Sequence, residues 1–97
     1  MSRTADQFLR VVRTALVGYL RALRTIDSEM ASDLPPVIRG HLDTVLRTHF
    51  GVWDTVDIPS LDSSRRDALW ESALQVLEFV RTLEDFLHQR LARRPSP

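Results

Sequence analysis

Cysteine is absent from this chain, and so is lysine: all thirteen basic residues are arginine. Without cysteine there is no disulfide, no thiolate nucleophile and no thiolate metal ligand. That composition suits a reducing compartment, and the expectation is a cytoplasmic protein. Glycine is scarce, at Gly18, Gly40 and Gly51 only, which excludes a glycine-rich phosphate-binding loop. An excess of either charge is missing too. Thirteen arginines face thirteen acids, for a formal net charge of +0. That balance argues against a protein that coats nucleic acid, where affinity comes from neutralising phosphates. Arginine and aspartate interrupt every apolar run well before the ~18 residues of a membrane span. The opening residues Met1 to Asp6 lack the charged-then-apolar plan of a secretory signal.

What is present is helical periodicity. Over 5–30, Val12, Leu16, Tyr19, Leu23, Ile26 and Met30 recur at steps of four and three, one stripe of a helix. Ser32-Asp33-Leu34-Pro35-Pro36 ends it, because proline cannot continue a helix interior. Ser32 or Asp33 can cap a shorter helix over 36–50, with Gly51 as its C-terminal glycine. Its apolar face carries Ile38, Leu42, Val45 and His49. The stretch 52–60 reads as a loop with one helical turn, its Trp53, Val56 and Ile58, together with Leu61, forming a hydrophobic lid. Ser64 and Asp67 have the spacing of a capping box, and the last helix starts between Ser60 and Ser64 and runs to about Arg93. One domain over 1–94 is expected, with a frayed tail at 95–97.

The expected fold class is all-α: two long antiparallel helices with a shorter helix and a loop between them, dimerising into a helical bundle. The dimer follows from the last helix. Leu69, Ala73, Val76, Val80, Leu83 and Leu87 form its apolar centre, Phe79 and Phe86 widen it on one side, and Trp70, Leu74 and Leu77 on the other. A helix packed on one neighbour needs an arc of about 100°. This one has apolar surface for two or three neighbours, and a two-fold dimer is the commonest way to supply the missing one. On the first helix, Ala15, Gly18 and Ala22 edge an apolar arc that includes Phe8, and small residues in a row allow close helix approach. Ala15, Gly18, Ala22, Trp70, Leu74, Leu77, Phe79 and Phe86 make the expected partner-binding set, the partner being a second copy or another helical protein.

Two other candidate sites stand out. Arg10, Arg13, Arg21 and Arg24 share one face of the first helix with Arg3. They form either an anion or nucleic-acid contact or a solvated face paired with acids elsewhere, such as Asp67, Glu71, Glu78 and Asp85 on the last helix. Arg81, Glu84 and His88 project to one side of the last helix at spacings that allow pairing. The Arg81-x6-His88 spacing resembles the loose Arg…His pattern of HEPN-type ribonucleases, over one eight-residue motif with Thr82 after the arginine. That resemblance implies a helical dimer in which Arg81 and His88 of two chains meet and assist attack of the RNA 2′-hydroxyl. The alternative is a salt bridge at an interface edge.

No metal site or cofactor is expected. His41 and His49 are two turns apart, too far for two ligands of one ion on a straight helix, and His49 reads as a hydrogen-bonded core histidine. The leading functional expectation is a non-enzymatic interaction protein, an adaptor, regulator or partner-binding subunit. A HEPN-like enzyme and a nucleic-acid binder are the alternatives.

Overall fold

In the computed structural model the described residues are 2–92, with side chains described over 4–90. The expected tail at 95–97 lies outside them. Among the described residues there are three helices: α1 (Ser2–Met30), α2 (Pro36–Thr55) and α3 (Ser63–Ala92). Two 3-10 turns, Ala31–Asp33 and Ile58–Ser60, join them. No strand occurs among the described residues.

Pro35 and Pro36 start α2 as expected, Pro36 occupying the first helical position, but no side chain caps it. Aspartate rather than serine opens α3: the Asp62 carboxylate accepts from the Arg65 amide at 2.8 Å, so Ser64 and Asp67 do not form the capping box. The larger departure is at Gly51. It does not end α2, which continues to Thr55 and so takes in Trp53. No glycine has positive φ, and a Cβ at Gly51 would meet nothing within 4 Å. Glycine inside a helix is worse than alanine by about 1 kcal/mol. Gly51→Ala is therefore expected to raise stability by about that amount in urea denaturation. A C-terminal capping glycine would give the opposite sign, because alanine tolerates the left-handed conformation poorly.

The two long helices do not run antiparallel; the contacts correct that expectation. Near the starts of both, Asp6 takes a 2.7 Å bond from the Arg66 guanidinium and Phe8 packs edge-on against Trp70. At the far end, Arg90 donates to the Asp33 carbonyl just past the end of α1. α1 and α3 are thus parallel neighbours. α2 runs opposite to both: its C-terminal carbonyls at Trp53 and Asp54 receive Arg13 of α1, and His49 and Trp53 meet Ser72 in the first half of α3. The reason is length. At 20 residues α2 spans ~30 Å, enough to carry the chain back towards its starting end.

The core is a column along the bundle axis, built from Leu9, Leu16, Leu20 and Leu23 of α1, Leu42, Val45 and Trp53 of α2, and Leu69, Ala73, Val76, Phe79 and Leu83 of α3. Leu34 and Ile58 close it from the two turns. The apolar stripe expected on α1 needs correcting. Leu9 and Leu20 are core residues, whereas Phe8 and Tyr19 are exposed. α2 lies on one flank of α1 and turns its core face away from those two rings. The expected lid exists: Ile58 is buried and Val56 and Leu61 pack against the core, but its largest member, Trp53, belongs to α2.

Candidate functional site

Once the chain has buried its own core, Val37 and Val52 of α2 stay exposed, and most of the other exposed large apolar side chains share one face. On α3 these are Trp70, Leu74 and Leu77, with Leu74 60% exposed; on α1 they are Phe8, also 60% exposed, Val11 and Tyr19. The Phe8–Trp70 contact, with ring centroids 5.7 Å apart, brings the two sets together along the α1/α3 seam. Ala15, Gly18 and Ala22 are also exposed, and space above Gly18 is open. Within one chain these small residues serve no close helix crossing.

The wide apolar arc of α3 is therefore divided. Its Phe79 and Phe86 side is covered by the chain itself: Phe79 is a core residue and Phe86 packs against the core. These two are not part of the exposed set expected for partner binding. The Trp70, Leu74 and Leu77 side is uncovered.

Arg81, Glu84 and His88 continue the uncovered stripe towards the end of α3, and all three are exposed. Among the described residues no ion pair or hydrogen bond joins them within one chain.

The arginine face of α1 is largely occupied by its own chain. Arg13 donates from Nε to the Trp53 carbonyl at 3.0 Å and from its guanidinium to the Asp54 carbonyl at 2.9 Å. These carbonyls lie in the last turn of α2, where helix geometry leaves them without internal partners. Arg24 lies over the Phe50 ring, 4.5 Å from its centroid, in cation–π geometry. Arg21 lies 3.9 Å from Asp54, a loose exposed pair. Of the four proposed anion-binding arginines, Arg10 alone lacks a contact with α2 among the described interactions. Sequence reasoning missed the capping role of Arg13 because its acceptors are backbone carbonyls 40 and 41 residues away.

A second feature lies between α2 and α3. His49 is buried, and its Nδ1 is 2.7 Å from the Ser72 hydroxyl. The Trp53 indole N–H donates to the same hydroxyl oxygen at 2.9 Å. An indole nitrogen only donates, so Trp53 takes up one of the two acceptor lone pairs of the Ser72 hydroxyl, which also hydrogen-bonds His49 Nδ1. Burial holds the His49 pKa below its ordinary 6.5, with a side-chain hydrogen bond to Gln75 working against the shift. The cluster is thus a satisfied, neutral core network, as expected of His49. Two grooves flank it on this face. One, of about 670 Å³, is floored by Val52, Val56 and Leu69; the other, of about 280 Å³, is bordered by His41 and Glu78.

The His49 shift has a pH consequence. Its folded pKa lies below the unfolded value of 6.5, so the unfolded chain binds more protons between the two. The His49 contribution is complete above pH 6.5 and is lost as pH falls from there through the folded pKa. Urea midpoints are expected to fall between pH 7.5 and pH 5, and to fall less in His49→Gln. An equal fall in the variant would assign the loss elsewhere.

Among the described residues no three His, Asp or Glu side chains converge as metal ligands, and no helix is long and apolar enough to cross a membrane. No protein-family model, curated protein or solved structure matches the chain.

Proposed function

We propose that this chain is a non-enzymatic helical interaction module that works as a homodimer, a second copy covering the α1/α3 face. One observation carries the reading: Trp70, Leu74 and Leu77 stand in solvent beside Phe8, Val11 and Tyr19 although the chain has its own completed core. Large contiguous apolar patches on soluble proteins mark interaction sites. The shape agrees. The chain measures 57 × 22 × 18 Å and exposes 6994 Å² of surface. A compact monomer of this mass exposes roughly 5,700 Å². A standard interface removes about 800 Å² from each partner, which is within that excess. The absence of cysteine is compatible with a cytoplasmic location, which the proposal includes.

Light scattering over a dilution series tests it. A mass near twice 11.2 kDa that persists into the nanomolar range is expected. A mass of one chain at micromolar concentration overturns the homodimer.

The ribonuclease reading needs the same assembly, and one placement favours it: Arg81 and His88 are exposed on the stripe that a second copy would meet. On the same sample it requires cleavage of single-stranded RNA that is lost in His88→Ala. An RNA left intact by the intact dimer removes this reading and leaves the interaction module standing.

A further inference from the structure

The order of residues along the exposed stripe of α3 determines more than whether two copies meet. Trp70, Leu74, Leu77, Arg81, Glu84 and His88 step by four, three, four, three and four. That is a 3.5-residue repeat, the pattern of a coiled-coil seam. It lies one residue round the helix from the core stripe of Leu69, Ala73, Val76, Val80, Leu83 and Leu87, which has the same repeat. α3 therefore carries two adjacent seams, and its own chain fills one. The open seam is divided lengthwise, with three apolar residues in its first half and three polar or charged residues in its second.

We infer that the second copy docks in parallel, its two-fold axis running along the α3 seam, and that Arg81, Glu84 and His88 set that orientation. The inference rests on the homodimer proposed above. In parallel register, Trp70, Leu74 and Leu77 of the two copies bury one another. Arg81 and Glu84 are three residues apart, a rise of ~4.5 Å, so Arg81 of each copy reaches Glu84 of the other and offsets the like charges stacked at each level. The antiparallel alternative, centred on the stripe, sets Arg81 against Leu77 and Glu84 against Leu74. Each charge is then desolvated on a leucine without a partner, an arrangement proteins avoid. Sliding the copies until only the charged halves overlap leaves Trp70, Leu74 and Leu77 in water. Polar residues placed in such a seam lower stability and specify register.

The parallel arrangement also gives the small residues of α1 a role. α3 of each copy lies in the groove between α1 and α3 of the other, and Ala15, Gly18 and Ala22 line the α1 side of that groove. All three are exposed, with open space above Gly18. A bulky side chain there would hold the partner helix away.

Because the chain has no cysteine, an introduced one is unique. Leu74→Cys and Glu84→Cys are prepared separately, weighed by light scattering under reducing conditions, then oxidised mildly alone and as a mixture. Disulfides need Cα atoms within ~7 Å. The parallel dimer is expected to give a two-chain mass and Leu74→Cys linked to itself as the major product. In the antiparallel dimer the two thiols introduced by Leu74→Cys would be ~15 Å apart along the axis. A two-chain mass with cross-linking only between the two different variants therefore overturns the orientation and leaves the homodimer standing. A two-chain mass with neither cross-link overturns this seam as the interface. A one-chain mass for both variants and for the unsubstituted protein overturns the homodimer and this inference with it.

Discussion

Replacing Trp53 by alanine is expected to remove about 4 kcal/mol of stability, within the range for large-to-small aromatic changes in cores. Trp53 is fully buried, the largest of the fully buried side chains, and sits where the last turn of α2 meets α1 and α3. The substitution leaves a cavity there. It also removes the indole N–H that occupies one lone pair of the Ser72 hydroxyl, in the network that holds His49. Small domains have only 5–15 kcal/mol in total, so the variant should show a strongly lowered urea midpoint or be unfolded at 37 °C. Trp53→Phe keeps most of the volume and should fall between the two. Val37→Ala is the control, because that side chain is 80% exposed on α2. Far-UV circular dichroism in urea reads all three. A loss below 1 kcal/mol for Trp53→Ala would mean that the α2 terminus does not pack as described.

Leu74→Glu is expected to leave the isolated chain folded and to weaken the proposed dimer by at least 100-fold, about 2.7 kcal/mol. Leu74 is 60% exposed in a single chain, so the substitution costs the monomer little. In the proposed parallel dimer the same position would be enclosed by its own copy. Two carboxylates would then face each other in an apolar layer, where unpaired charge is strongly disfavoured. Sedimentation of the variant should show one-chain mass at concentrations where the parent is dimeric, with an unchanged helical spectrum. Glu71→Gln, on the same helix but off the stripe, should change neither. A Leu74→Glu protein that remains dimeric would place the interface on another face.

Much of the fold was legible in the residues. The core stripe of α3 was readable because its steps of four and three run unbroken from Leu69 to Leu87. Pro35 and Pro36 marked the break after α1 because a ring nitrogen has no proton to give a helix. The α1 stripe was less secure. Tyr19 and Leu20 are equally apolar on a helical wheel, and only the side on which α2 packs decides that Leu20 is buried and Tyr19 is not. Gly51 misled for a related reason. Glycine marks a helix end when the chain turns there, yet burial of Trp53 two residues later draws the helix past it. The arginines of α1 were visible as a row, but their acceptors were not, since Arg13 bonds to carbonyl oxygens that every residue possesses.

The sequence by itself determined the helical class, the chemistry that is absent, and the excess of apolar surface on α3, because these depend on composition and on angles around one helix axis. The tertiary structure decided which side of that surface the chain covers and which it leaves open. A helical wheel states the direction in which a side chain points but not what stands there. α2, long enough to return the chain to its starting end, sets α3 parallel to α1 and covers the Phe79 side. Trp70, Leu74 and Leu77 stay exposed because three helices can enclose one core seam of α3 but not both.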